Sequence, residues 1–303
     1  MNILGERTLK RTRSHLSDTT TRMILAAAAF SSLAFLAGIL VVLFREALPA
    51  LRQIGFVELI TGADWYPTYR PPSFGAAPLI ASSIQVTVGA MIVAVPLGLA
   101  SALFISEAMP ARARNIIKPV VELLAGLPSV VYGLFGMELV APLIMQAFDL
   151  PTGLTALSAS IVLGIMALPT VTSVAEDALS AVPSACKEAS TALGATRWET
   201  ASKVVMPAAS SGIITAVLLG VSRAIGETMA VLMVAGGAIR MPSSFLQPVR
   251  PITAAIAAEM GEAPVGSMHY HALFALAVIL FLSTLAFNAT ANALKNKFKA
   301  KVE

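Results

Sequence analysis

Six stretches of this chain are long and apolar enough to cross a membrane, and they limit the fold before any motif is considered. A helix needs ~20 mostly apolar residues to span a hydrocarbon core of ~30 Å. The runs at 24–44, 80–105, 120–148, 154–174, 208–234 and 272–294 meet that length. Of the 303 residues, 56% are hydrophobic and 13% charged, about half the charged share of a soluble domain. Lipid leaves no backbone group to be satisfied by water, so spanning segments of this kind must be helical. The expected fold class is therefore an all-α integral membrane protein with six transmembrane helices.

The first run follows a basic segment but is longer than a signal-peptide core and lacks a small-x-small cleavage site after it. It reads as a mature helix. Lys and Arg set the orientation. The 1–23 tail, the 106–119 and 175–207 loops and the 295–303 tail hold fifteen of them, whereas the loops at 45–79 and 235–271 hold five. Both termini and the 175–207 loop are thus expected on the cytoplasmic side, with 45–79 and 235–271 external.

The external segments carry their own signals. "DWYPTYRPPSFG" is rich in aromatics and proline, as at a membrane surface. "PITAAIAAEMGEA" is a helix candidate too short to span. Pro96, Pro128 and Pro169 predict kinks within the spans. The single cysteine, Cys186, excludes an internal disulfide and a thiol-cluster metal site. His269 and His271 would share one side of an extended segment, a weak ligand pair, and read better as interfacial residues at the start of an apolar helix. No catalytic residue, metal site or cofactor of this chain's own is expected.

The 175–207 loop contains "KEASTALGATRWETASKVVMP". Pro183 and Ser184 open a short helix and Gly194 closes it. Thr196 and Glu199 form a T-x-x-E capping box for a second helix, which Pro207 should stop. Two short helices around a glycine also describe a DNA-binding helix-turn-helix. Nucleic acid is excluded on charge and place: Lys187, Arg197 and Lys203 face Glu188 and Glu199, and the pair of helices sits against a bilayer, whereas phosphate neutralisation needs several more cations.

Glu188-Ala189-Ser190, Gly194, Val204 and Met206-Pro207 resemble, without a gap, the EAA motif of the membrane subunits of binding-protein-dependent ABC importers. Ser190 and Met206 depart from the pattern mildly. The resemblance implies a type I ABC importer permease fold across 80–294. It also implies that Glu188, Ala189, Ser190, Gly194 and Pro207 belong to a coupling loop that docks on a separate ATPase. "ELLAGLPSVVYGLFG" (122–136), "SVAEDALSAVPSACKEASTALGATRWETASKVVMPAA" (173–209) and "SRAIGETMAVLMVAGG" (222–237) are further similar to the permeases of phosphate-specific importers, in the PstC-like form rather than the PstA-like one. Gly237 stands where asparagine is expected, and Glu138 has no place in the family pattern. What this resemblance implies is a subunit of the bacterial inner membrane that passes phosphate inward. Its partners would be a PstA-like permease, an ATPase dimer carrying ATP and magnesium, and an external phosphate-binding protein. The chain has no G-x-x-x-x-G-K-[ST] loop.

A charge at mid-bilayer costs at least ~2.5–3.5 kcal/mol, so it should face protein or a wet path. Arg223 lies well inside the fifth run and Glu227 four residues on, so the two are expected to share one helical face. Two roles compete for the pair: a buried ion pair that fixes packing, and an anion waypoint. A guanidinium offers planar paired donors to phosphate oxygens, and Glu227 would keep the site from becoming a trap. Glu122 is expected to pair with Lys118, four residues before it. Three other functions compete with this one: an intramembrane enzyme, for which no Ser/His pair, acid pair or metal cluster is present; a sensor or scaffold; and an importer of molybdate, sulfate or phosphonate. The PstA-type subunit is a fourth alternative, within the same class.

Overall fold

The computed structural model describes residues 18–299; the cations Arg7, Lys10, Arg11, Arg13 and Lys301 lie outside them. A long helix α1 (Asp18–Gln53) leads through a short α2 (Phe56–Thr61) to a hairpin of two-residue strands, β1 (Trp65–Tyr66) and β2 (Ser73–Phe74). Helix α3 (Ala77–Leu103) runs into a π turn over Phe104–Ala108 and is followed by α4 (Ala111–Ala125). Helix α5 (Ser129–Phe135) passes through a second π turn, Gly136–Val140, into α6 (Ala141–Ala147). The central helix α7 (Ala156–Ser180) ends at the knob, α8 (Ser184–Ala192) and α9 (Arg197–Thr200). A third π turn, Ala201–Val205, joins α9 to α10 (Met206–Ala208). Then come α11 (Ser210–Ile225), α12 (Met229–Val234), α13 (Ile252–Glu259) and α14 (Met268–Lys299).

Among the described residues five helices are long and apolar enough to cross a membrane, and six if the bent pair Arg197–Ala208 and Ser210–Ile225 is one span. Helix α7 is the axis of the molecule. It packs along α3 on one side and α11 on another, and Gly220 of α11 lies so close to Val171 that a Cβ there would stand 2.6 Å from it. One core lies among α3, α5, α7 and α12 around Leu163, Met166 and Val234. A second joins α1 to α14 and to the hairpin through Trp65, Leu273 and Leu276. The outer faces are apolar as well: residues 21–39 of α1 are exposed throughout, as expected where lipid replaces water.

Two expected spans are broken. The run at 120–148 is not one helix. Pro128 lacks an N–H and disfavours helix at Leu127, so α4 ends at Gly126 and the membrane-length helix begins at Ser129. The run at 208–234 is likewise divided, because α11 ends on Gly226 and α12 restarts at Met229. Pro96 and Pro169 lie within α3 and α7.

Pro207 does not stop the second knob helix. The π turn widens the chain just before it, where the ring would strike the carbonyl one turn back. The helix then runs on to Ala208 and bends by 73° into α11. The short helix expected in "PITAAIAAEMGEA" is α13, with Ile252 through Ala255 buried. Gly237 has φ 71°, a left-handed conformation that glycine and asparagine both tolerate, which accounts for that exchange.

Candidate functional site: the helical knob and the charges at the helix breaks

The knob is built as its sequence dictates. Pro183 is the N-cap of α8, and Gly194 has φ 87° beyond its end. The capping box is complete: the Thr196 hydroxyl accepts from the Glu199 N–H at 3.2 Å, and the Glu199 carboxylate accepts from the Thr196 N–H at 3.0 Å. The Thr196 N–H, then its hydroxyl, then Lys203 hold the Glu199 carboxyl at a pKa of about 2. Ser190, the departure from E-A-A, is buried, and its hydroxyl bonds that of Thr200 at 2.9 Å, tying the two short helices together. Lys187 reaches Glu107 of the π turn after α3 at 2.7 Å and fixes α8 to the bundle.

The surface of the knob is apolar at two points. Leu193 is 90% exposed and Trp198 67%, with Glu188, Ala189 and Pro207 exposed around them. Sequence reasoning missed both. The only signal available was large apolar residues on a short polar helix pair. Trp198 also edges a cleft of about 510 Å³ whose other wall is Leu103, Phe104 and Glu107.

The structure does not put Arg223 and Glu227 on one helical face, because α11 ends between them at Gly226. No ion pair joins them among the described residues. Arg223 Nη2 donates instead to the carbonyl of Ala125 at 3.1 Å, the open C-terminal end of α4, while its Nε is buried without a partner. The Tyr132 hydroxyl donates to the neighbouring carbonyl of Leu124 at 2.8 Å. A cation there meets the partial negative charge of a helix end. Glu227 accepts from the Ala230 N–H at 3.0 Å and so caps α12, and its own carbonyl accepts from Thr253 at 2.7 Å. The cavity beside it, shared with Ser83, Thr87 and Thr253, measures about 10 Å³, room for about one water.

Lys118 does not pair with Glu122, which is exposed. It binds Glu176 at 2.8 Å and also Asp177, and Arg114 contacts Glu176 and Ser180. Asp177 and then Glu176 raise the Lys118 pKa. The cluster fastens α4 to α7 just above the knob. At the other end of α7, Glu259 accepts from Trp65 Nε1 at 3.0 Å and from Arg250 at 2.7 Å, and lies 2.9 Å from His269 Nε2. His271 bonds the Glu46 carbonyl at 2.8 Å. Both histidines lie on the first turn of α14 rather than on an extended segment, each against its own carboxylate residue, and no group of three metal-ligating side chains occurs among the described residues.

A bundle of broken and unbroken membrane-length helices, with a capped helical knob projecting from one end, defines a polytopic membrane subunit built to engage a partner. The chain belongs to the family of binding-protein-dependent transport system inner membrane components, whose profile matches residues 94–301. It is 37% identical over 279 residues to a probable ABC transporter permease protein, YqgH, of Bacillus subtilis, covering 91% of this chain and 90% of that one. It is 36% identical over 308 residues to the phosphate transport system permease protein PstC of Mesorhizobium japonicum, covering 95% and 93%. Among solved structures it is similar to a bacterial alginate ABC transporter, with a TM-score of 0.65 at 14% identity over 92% of this chain and 96% of that one. It is also similar to the MetNI methionine ABC transporter, with a TM-score of 0.55 at 17% identity over 74% and 94%. The fold is thus that of ABC importer permeases, and the chain is a transport subunit rather than an enzyme.

Proposed function

We propose that this chain is the PstC-type membrane subunit of an ATP-driven importer of inorganic phosphate. The observation that carries the reading is likeness over almost the whole chain to permeases named for phosphate transport, 36% identical in one case. A knob shaped for docking supports it. Nucleotide and magnesium belong to a separate ATPase dimer, which takes the knob through Glu188, Ala189, Gly194 and Pro207, with Leu193 and Trp198 as apolar anchors and the buried Ser190 holding the two short helices together beneath them. The other partners are a PstA-like permease and an external phosphate-binding protein. The excess of Lys and Arg near the termini and the knob supports a cytoplasmic position for them in the inner membrane.

Arg223 is the waypoint for the anion and Glu227 holds the break beside it. Arg223 rests on the Ala125 carbonyl, a neutral acceptor that an anionic phosphate oxygen would displace, because there both partners are charged and the guanidinium can bind two oxygens at once. The test is uptake of labelled phosphate by cells carrying the four components, with sulfate, molybdate and a phosphonate as competitors. Saturable uptake that only phosphate competes away is expected. Uptake of another oxyanion with phosphate ignored would refute the assignment.

A further inference from the structure

Glu138 is a carboxylate in the middle of a membrane span with nothing among the described residues to meet it. The membrane-length helix runs Ser129–Ala147, so Glu138 stands nine residues from either end, about 13 Å along the axis and close to the centre of a ~30 Å core. It lies in the π turn Gly136–Val140, a local widening found frequently at functional positions. The inward side of this helix is filled: Tyr132, Gly133, Gly136 and Val140 are buried, and Gly136 sits against Val162 and Val234. Glu138 is on the opposite, exposed side with Val131, Leu134 and Leu139. No hydrogen bond or ion pair engages it among the described residues.

Left against lipid, such a charge costs at least ~2.5–3.5 kcal/mol. A carboxylate at that depth calls for a cation or a hydrogen-bond donor from a neighbouring protein. A second copy of this chain is a poor neighbour. Two copies meeting through this face would bring two carboxylates together. Arg223, in the last turn of α11, is already turned inward onto Ala125.

We propose that the exposed face of α5 and α6 seats a second, non-identical membrane subunit, and that this subunit presents a cationic or hydrogen-bond-donating side chain at mid-bilayer depth to Glu138. The inference rests on the reading of the chain as one of two permeases in an importer. It adds which face is used and what chemistry the partner must carry there.

The test uses the whole importer in membranes. Dicyclohexylcarbodiimide modifies membrane carboxyls that are protonated and open to lipid. Glu138 should be modified when this chain is expressed alone and protected at least fivefold in the importer, read by mass spectrometry. Glu138→Leu should lower copurification of the second permease at least fivefold, with Glu138→Gln falling between it and the unchanged protein, because an amide still accepts a hydrogen bond. Equal modification in both preparations would overturn the proposal, as would full copurification of the Glu138→Leu variant. Recovery of a differently tagged copy of this chain in place of a second permease would also overturn it. Phosphate uptake by the unmodified importer is measured in parallel: uptake intact with any of these outcomes defeats the Glu138 assignment alone, whereas no uptake defeats the phosphate reading.

Discussion

Arg223 of α11 and Ala125 of α4 are 98 residues apart in sequence, and the guanidinium of one donates to the carbonyl of the other at 3.1 Å. The bond joins the ends of two helices, each stopped by a glycine, Gly226 and Gly126. If Arg223 hands itself from this carbonyl to a passing anion, its geometry matters as much as its charge. Arg223→Gln should leave the four components copurifying and lower phosphate uptake at least tenfold, the order expected for losing a hydrogen bond to a charged group. Arg223→Lys keeps the charge without the planar fork, so uptake should fall only in part. Normal uptake in the assembled Arg223→Gln variant would reduce Arg223 to a clasp between two helix ends.

Glu176 is buried with Arg114 and Lys118 against it, each about 30% exposed at the side chain. Removing the acid leaves two cations half in and half out of water. The loss should lie between that of a surface pair, ~1 kcal/mol, and that of a fully buried one, ~3–5 kcal/mol, hence about 2–3 kcal/mol for Glu176→Ala. Thermal unfolding in detergent measures it. Asp177→Ala, at an exposed position, should cost under about 1 kcal/mol.

Gly194 takes φ 87°, where a β-branched side chain costs roughly 1–2 kcal/mol or more. Gly194→Val should therefore distort the knob and weaken copurification with the ATPase while the spans still insert. Leu193→Ser tests contact rather than shape. It should weaken the same copurification with the melting temperature of this chain unchanged, since that side chain is 90% exposed.

Glu199 gives the capping box a pH signature. Its pKa in the folded chain is about 2, lowered from 4.5, so the ionised cap stabilises the fold above the unfolded value. That contribution fades as pH falls from about 4.5 and is gone below about 2. Glu199→Gln keeps the cap without the charge. The stability gap between the unchanged protein and this variant should be full at pH 7 and visibly narrower at pH 3. A gap that widens on acidification would contradict the assignment.

Topology is open to labelling in a Cys186→Ser background. A cysteine at Tyr69, 65% exposed, should react with an impermeant maleimide from outside intact cells, and one at Leu193 should not. The reverse pattern would invert the orientation.

Most of the architecture is legible in hydropathy, because lipid forces each apolar run to be helical. The knob was legible because its signals are local: a proline, a glycine, and a threonine three residues before a glutamate. The break before Ser129 was legible only as a kink at Pro128, and the break at Gly226 was not legible, since Gly226 looks like an ordinary span glycine. Missing the second of these put Arg223 and Glu227 on a shared face that does not exist. Partners remote in sequence, such as Ala125 for Arg223 and Glu176 for Lys118, leave no periodic trace. Ser190 read as a mild departure, whereas Thr200 opposite makes it a fastening between two helices.

Glu259 gathers Trp65, Arg250 and His269, and nearby the carbonyls of Phe245 and Gln247 accept from the first N–H groups of α7. The hairpin, the connection before α13 and the start of α14 are therefore laced to the end of α7 farthest from the knob. A tilt of α7 imposed at the knob would carry this whole group with it. The knob end of the bundle and this hub are thus joined by one continuous helix of 25 residues rather than by a succession of loops.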